Sequence, residues 1–548
     1  MTESKGQFFA SHLLANLAAG GIDHFFVAPG SRSQALAVAA AQLAGDGHTQ
    51  LHVRIDERSL AFQALGVGLS SGFPAAVIVT SGTAVANLHP AVLEAHHAGI
   101  PMVLLTADRP KELRGVGANQ TTRQVGIFAD AVVACLDIPA PSLEDSDEYL
   151  KQRARDLADE ALHLATTTSG PVQLNLGFRE PLSANWPNAS LIFNKLMAEQ
   201  AEAHPLTAAI PLLHEPNETD EHGHGIAETV IDLSRKTVVV AGDGGHLAKW
   251  YCTGLPLFAE PSSGVRGLPE AISGYLPLLQ QNHPLVEQIE QVLVFGKPTL
   301  SRAVQALLKQ PGIKVFTDPG RHGVFNPGGN AQSLGNDVDF VGDCPPEWLQ
   351  DWQTAGEQAL AAKIAAEPQT DGVTRRHLIE QVFAAADHVN PLILGASRLI
   401  READMWAPPT HLQVYSNRGL SGIDGTVATG IGVALTQSQA QVRVLLGDIT
   451  FLHDAGSLAM DPSDEHLHIQ VIVGNDAGGR IFETLEVAKT LDADSFERLF
   501  ITPQQVDLRH LARAYGWQYV PVQTRGQLEL ALQHPGRVVI DVRLAESN

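Results

Sequence analysis

The chain is predicted to be an α/β protein of parallel sheets flanked by helices, and three observations predict it. Two buried-looking strands, Val442–Asp448 and Ile469–Asn475, end in Asp448 and Asn475, which lie 27 positions apart. That interval fits one βα unit, so the two strands run parallel and present both terminal residues at one sheet edge. Short apolar runs alternate with helical patterns along most of the chain, the arrangement that covers both faces of a parallel sheet. Finally, 548 residues with 44% apolar and 18% charged content can bury several cores, and at ~150 residues per domain the length predicts roughly three or four of them.

The first domain is expected over residues 1–185. Phe9, Leu13, Leu14 and Leu17 have helical spacing, and Gly20-Gly21 ends that helix before a strand at His24–Ala28. Further strands fall at Leu51–Asp56, Ala76–Thr80, Met102–Ala107 and Val172–Leu176. Residues 186–225 read as a linker, with Trp186-Pro187-Asn188, Pro205, Pro211 and the polar run Glu215–Gly225. Within it His214, Glu215, Asp220, Glu221, His222 and His224 lack a fixed ligand spacing, so they are read as acidic linker.

A central domain, 226–370, is expected to carry strands at Thr237–Ala241, Val292–Phe295, Lys314–Thr317 and Asp339–Val341. Its Gly242-Asp243-Gly244-Gly245 lacks a complete dinucleotide fingerprint and reads as a strand-to-helix turn. The last domain, 371–548, begins with Thr374 capping a helix from Arg375 and adds strands at Leu392–Gly395, Gln413–Ser416, Gln518–Val520 and Val538–Val542. Three similar regions imply repetition of one architecture on a large scale.

Composition narrows the function. A formal charge of −23 disfavours nucleic acid or an anionic membrane as a general partner. No apolar run approaches the ~20 residues of a membrane span, and no signal peptide is evident. Cys135, Cys252 and Cys344 are scattered, which fits a reducing cytoplasm better than a disulfide framework.

The chemistry starts from Asp448 and Asn475. A carboxylate and an amide oxygen are hard donors that suit Mg²⁺, which keeps positions open for phosphate and water. The loop Asp476-Ala477-Gly478-Gly479 can add a carbonyl ligand and amides for a diphosphate. The pattern resembles the Gly-Asp…Asn signature of thiamine diphosphate enzymes, with Ile449 in place of the usual Gly and Asp476 in place of the usual second Asn. Such a site also needs a carboxyl group against the aminopyrimidine ring, to favour the tautomer whose imino group removes the thiazolium proton. Glu57, between the strand ending at Asp56 and a helix containing Leu60, Ala64 and Val67, is the candidate. His96-His97 lies in a helical stretch before Ile100-Pro101 and reads as helix surface, which disfavours a simple 2-oxo-acid decarboxylase.

Agreement extends along both ends of the chain. Ala28-Pro29-Gly30-Ser31-Arg32-Ser33, Asp56-Glu57-Arg58, Thr80-Ser81-Gly82-Thr83, Thr106-Ala107-Asp108-Arg109-Pro110 and Gly117-Ala118-Asn119-Gln120 occur in order. They are followed by Ser416-Asn417-Arg418-Gly419, Gly447-Asp448-Ile449-Thr450-Phe451 and Asn475-Asp476-Ala477-Gly478-Gly479-Arg480-Ile481-Phe482. This set resembles the 2-succinyl-5-enolpyruvyl-6-hydroxy-3-cyclohexene-1-carboxylate synthase family of menaquinone biosynthesis, more clearly in the terminal domains than in the middle.

The resemblance implies a pyrimidine-binding N-terminal domain, a central domain and a diphosphate- and metal-binding C-terminal domain. The implied reaction is transfer of a C4 unit. 2-Oxoglutarate is decarboxylated and the resulting succinyl carbanion equivalent adds conjugatively to isochorismate. Glu57 would activate thiamine diphosphate, and Asp448, Asn475 and the Ala477 carbonyl would hold Mg²⁺ or Mn²⁺. Gln120, Ile423, Gly447 and Thr450 would complete the cofactor site, with Ile423 bending the cofactor.

Ser31, Arg32, Arg109, Gln120, Arg302, Ser397, Arg401 and Arg418 would bind substrate, with Ile481, Phe482 and Leu485 lining the cavity. Both substrates carry two carboxylates, which the guanidinium fork suits. Arg302 lies in the weaker middle match, where Ser301 stands in the place of a Lys in some relatives. The family's active sites are shared between chains, so a homodimer is the minimum and a homotetramer is expected. The alternative is another thiamine diphosphate-dependent 2-oxo-acid decarboxylase or carboligase.

Overall fold

The computed structural model describes residues 4–183, 186–203, 229–245, 254–318, 324–335, 338–437, 439–464 and 466–545. It forms two compact units, one of residues 1–225 with 459–464, the other of 226–458 with 465–548.

The first unit is built on β1 (His24–Val27), β2 (Gln50–Val53), β3 (Ala75–Val79), β4 (Met102–Asp108), β5 (Ala134–Ile138) and β6 (Pro171–Gly177). All pairings are parallel, in the order β2-β1-β3-β4-β6-β5. β3, β4 and β6 are buried throughout, as sheets covered on both faces require. The helix Lys5–Ala19 buries Phe9, Leu13, Leu14 and Leu17, each contributing about 2 kcal/mol of apolar transfer.

β2 stops at Val53, short of the expected Asp56, because Asp56 caps the next helix, its side chain accepting from the Arg58 N–H. β5 falls in a stretch with no clear strand signal: three of its five positions are partly buried and a fourth is exposed. The stretch expected to be linker is helical over Ala189–Ala203, tied down by Ser190 Oγ donating to the Gln42 carbonyl at 2.8 Å. The acidic run containing His214, Glu215, Asp220, Glu221, His222 and His224 lies outside the described residues.

In the second unit, β7 (Thr229–Asp232), β8 (Thr237–Ala241), β9 (Leu257–Ala259), β10 (Gln291–Phe295), β11 (Lys314–Thr317), β12 (Ala331–Ser333) and β13 (Val338–Val341) come first. Five form a parallel sheet in the order β12-β11-β10-β8-β9, whereas β7 and β13 pair only with each other. β14 (Leu392–Leu394), β15 (Val414–Tyr415), β16 (Val442–Gly447), β17 (Ile469–Asn475), β18 (Gln518–Val522) and β19 (Arg537–Arg543) form a second six-stranded parallel sheet, β15-β14-β16-β17-β19-β18.

β16 and β17 pair in register, Gly447 against Gly474, so Asp448 and Asn475 leave adjacent strands at one edge. Thr374 caps the helix Arg375–Ala385 in a capping box with His377. Gly242-Asp243-Gly244-Gly245 ends β8 in a turn. A Cβ at Gly242 would meet the Lys297 and Pro298 backbone at 2.0–2.4 Å, so close chain packing accounts for that glycine. Among the described residues, no helix is long and apolar enough to cross a membrane.

Candidate active site

Each six-stranded sheet carries several of the expected residues at the C-terminal ends of its strands, whereas Arg302 follows β10 of the five-stranded sheet. In the first unit, Ser31 and Arg32 follow β1, Glu57 follows β2 and Arg109 follows β4. Glu57 opens the helix Glu57–Ser71, half-buried, and its Oε2 accepts from Asn87 Nδ2 at 3.4 Å. Arg109 is buried and donates through Nη1 to Ser81 Oγ at 2.5 Å and to the Gln120 carbonyl at 2.9 Å.

Gln120 sits at φ 53 and donates through Nε2 to the Ser81 carbonyl at 3.0 Å. Gly82, at φ +88, lets that residue approach: a Cβ there would lie 3.0 Å from Gln120 Cγ. Arg32 is buried and donates to the Phe178 carbonyl at 3.0 Å, while its Nε has no hydrogen-bond partner among the described residues. Burial, and next the charge of Arg109, lower the pKa of Arg32. Ser31 is exposed, its Oγ accepting from Gln34 Nε2 at 3.2 Å. Arg32 Nη2 also lies 3.9 Å from exposed Glu180 Oε1, so this edge joins two cations whose hydrogen-bond partners are neutral oxygens and whose carboxylate contact is a long one. His96 and His97 occupy the last turn of the helix His89–Ala98, away from the Asn119-Gln120 segment in sequence.

In the second unit, Asp448 is the first residue of a short helix after β16, with Gly447 before it and Thr450 buried in its first turn. Burial, and next the charge of Asp476, push the Asp448 carboxyl up to about 6, against the backbone N–H groups of Ile449 and Gly478. Asp476 itself turns to Arg375 at 2.5 Å. Asn475 donates through Nδ2 to Asp541 Oδ1 at 3.0 Å, and Asp541 also accepts from the Tyr519 hydroxyl at 2.8 Å.

That anchor fixes the amide with Oδ1 on the loop side, where it accepts from the Ala477 N–H at 3.2 Å. Ala477 is left-handed at φ 60, which re-aims the chain at the loop expected to supply a carbonyl ligand. Gly478, at φ +138, packs so tightly that a Cβ would meet the Ile501 carbonyl oxygen at 2.5 Å. A buried carboxyl raised by a second acid, next to an oriented amide oxygen, is a donor set that fits a hard divalent cation.

Arg418, just beyond β15, is 3% exposed. Its Nη2 meets Thr299 Oγ1, whereas Nε and Nη1 have no hydrogen-bond partner among the described residues. Ser397, at φ 89, precedes the helix Arg398–Trp406, and its carbonyl accepts from exposed Arg401 Nη1 at 2.5 Å. Ile423 is half-buried, and so are Ile481, Phe482 and Leu485, with Phe482 edge-on to Phe500 at 5.4 Å. Arg302 opens the helix Arg302–Leu308 and pairs with Glu486 at 3.0 Å, both largely exposed.

Sequence reasoning missed the groups behind these side chains. Glu260 is fully buried and accepts the Leu300 N–H at 2.8 Å, beside the Thr299 that holds Arg418. Burial and then the charge of Asp404 hold its carboxyl well above the usual range. Asp404 accepts from the Tyr275 hydroxyl at 2.6 Å and lies 3.6 Å from Arg266. Acids that close or interrupt apolar runs, Glu260 after Leu257-Phe258-Ala259 and Asp541 within Val538–Val542, were the available signal.

Residues 9–127 match the family model described as thiamine pyrophosphate enzyme, N-terminal TPP binding domain, and residues 400–542 match its C-terminal TPP binding domain. The chain is 41% identical to the 2-succinyl-5-enolpyruvyl-6-hydroxy-3-cyclohexene-1-carboxylate synthase of Leifsonia xyli subsp. xyli, over 98% of this chain and 96% of the relative. It is 42% identical to the protein of that name from Clavibacter michiganensis subsp. michiganensis, over 95% and 92% of the two chains. The corresponding protein of Mycobacterium marinum is 37% identical over 94% and 92%. Similarity sustained over almost the whole length, on a scaffold that gathers the expected residues at two strand edges, means that the chain belongs to the 2-succinyl-5-enolpyruvyl-6-hydroxy-3-cyclohexene-1-carboxylate synthase family of thiamine diphosphate enzymes.

Proposed function

We propose that the protein decarboxylates 2-oxoglutarate and adds the succinyl unit conjugatively to isochorismate, in menaquinone biosynthesis. The observation that carries this reading is full-length similarity to synthases of that name, and the unpaired donors of buried Arg418 support it. Thiamine diphosphate, when bound, supplies a thiazolium carbon that acts as nucleophile and electron sink.

The residues of this chain do the rest. Glu57 would share a proton with the aminopyrimidine ring. Asp448, Asn475 Oδ1 and the Ala477 carbonyl would hold Mg²⁺, or Mn²⁺ in its place, which would supply charge for a diphosphate. Gly447, Thr450, Gln120 and Ile423 shape the cofactor cleft. Arg32 and Arg109, with Ser31, take carboxylates at the first edge. Arg418, Arg401, Ser397 and Arg302 take them at the second, and Ile481, Phe482 and Leu485 exclude water from the reacting centre.

Sites shared between chains make the homodimer the smallest active form, with a homotetramer expected in the cytoplasm. The test is mass spectrometry of products from protein supplied with thiamine diphosphate, Mg²⁺, 2-oxoglutarate and isochorismate. The succinylated cyclohexene product is expected. Carbon dioxide release with isochorismate unconsumed would favour another 2-oxo-acid decarboxylase or carboligase.

A further inference from the structure

One cavity apart from the residues assigned above combines room with unmet hydrogen bonds. It lies at the opposite, N-terminal edge of the second six-stranded sheet and encloses about 580 Å³, within the range of small-molecule sites. Arg443, the second residue of β16, lines it, five residues and roughly 16 Å along the strand from Asp448.

Arg443 is 6% exposed. Its Nη2 reaches the Leu532 carbonyl at a long 3.4 Å, and its Nε and Nη1 have no partner among the described residues. Gln470, its register partner on β17, is fully buried. Gln470 donates through Nε2 to the Leu532 and His534 carbonyls at 2.9 and 2.8 Å, and its Oε1 has no partner among the described residues. Gln441 Nε2 and Gln381 Oε1, on side chains that also line the cavity, are buried atoms with no partner among the described residues.

Buried guanidinium and amide groups are rarely left in this state, and Arg does not lose its charge to escape it. Burial lowers the Arg443 pKa and the charge of Asp387 opposes that shift. The unmet donors ask for an anion. The surrounding charges limit it: exposed Glu529 shares the lining and Asp387 acts on the same guanidinium, so a monoanion meets less repulsion there than a phosphate dianion. The two unpaired amide oxygens ask for hydroxyl donors.

We propose that this cavity binds a small polyhydroxylated monocarboxylate, with its carboxylate on Arg443 and its hydroxyls on Gln381 and Gln470. The reading is independent of the function proposed for the opposite edge.

Calorimetry on the full chain with D-gluconate as probe tests it, with sorbitol as the uncharged control and inorganic phosphate as the dianion control. Saturable gluconate binding is expected, with sorbitol and phosphate at least tenfold weaker. Arg443→Met keeps the length and apolar stem of the side chain, a replacement that buried ions commonly tolerate. It should weaken gluconate by roughly tenfold or more, the loss of a charge-assisted contact. Should Arg443→Met not fold, Gln381→Leu carries the test, with a loss of several-fold expected.

No saturable binding by the parent chain, phosphate binding as tightly as gluconate, or unchanged gluconate affinity in the folded variant would each overturn the proposal. So would binding that appears only when the assembly is dissociated, since the cavity would then be covered by a second copy.

Discussion

The two six-stranded sheets share one strand order, the second, first, third, fourth, sixth and fifth strands of each sheet lying side by side, yet equivalent positions carry opposite chemistry. After the second strand stands Glu57 in one unit and Arg418 in the other. After the third stand Ser81 and Asp448, and after the fourth Arg109 and Asn475. The central sheet repeats the first four places of that order and then diverges. One topology thus offers loop positions at a strand edge, and the side chains placed there set an acid beside two arginines at one edge and an acid and an amide oxygen beside an arginine at the other. Fold and site chemistry are separable, which is why the shared scaffold alone would not have told the edges apart.

The largest effect should come from the acid of the first edge. Glu57→Gln is expected to fold and bind thiamine diphosphate but to lose roughly 10²–10⁴-fold in turnover, the usual worth of a positioned proton-transfer group. Exchange of the thiazolium C2 proton, followed by NMR, reads this directly, and exchange at the parent rate would remove Glu57 from the role. At the other edge, Asp448→Ala should weaken Mg²⁺-dependent cofactor binding about 100-fold or more, since a direct ligand is lost. Calorimetry across Mg²⁺ concentrations checks it, and a folded variant with unaltered metal dependence would break the contrast.

Mixing the two inactive variants sharpens the comparison. If active sites draw one edge from each of two chains, mixed dimers place both defects in one site and leave the other intact. Roughly a quarter of all sites should then recover after subunit exchange. Recovery of no activity from chains that demonstrably exchange would argue that each chain completes its own site.

Arg418→Lys is expected to cost carboligation about 10–100-fold while carbon dioxide release falls less, because the ammonium keeps the charge but not the fork. Single-turnover measurement of both products separates the steps. An equal loss in both would move Arg418 to the donor or cofactor.

The smallest effect concerns pH. In the first unit, burial and then the neighbouring His52 hold His24 at about 4, below its ordinary 6.5. Between those values the unfolded chain binds the proton first, so this contribution is lost as pH falls through the window. In the second unit, burial pushes Asp404 up to about 6, with Arg266 opposing. There the native state holds the proton more tightly, so stability is gained as pH falls from about 6 towards 3.8. Each contribution is on the order of 2 kcal/mol. Hydrogen exchange resolved by unit, from pH 6.5 to 4.5, should show opposite slopes, and His24→Gln should flatten the first. Parallel slopes in both units would show that other groups dominate.

Much of this was legible because parallel strands buried on both faces leave nearly continuous apolar runs. Val442–Gly447 and Ile469–Asn475 could be read from composition alone, and with them the edge that Asp448 and Asn475 share. Where burial is one-sided the reading faded. β5 has no such run, and Ala189–Ala203 carries enough polar side chains to pass for linker while packing on the first unit.

By itself, then, the sequence determined the α/β class, the alternation of elements and the residue types at strand ends, since each depends on local periodicity and turn chemistry. Tertiary structure alone decided which side chains meet. Ser81 joins Arg109 to Gln120, Tyr519 and Asp541 orient Asn475, and Thr299 and Glu260 stand behind Arg418. Those contacts link residues that are distant in the chain, and their strength comes from burial, which raises the cost of an unmet polar group and which no local pattern encodes.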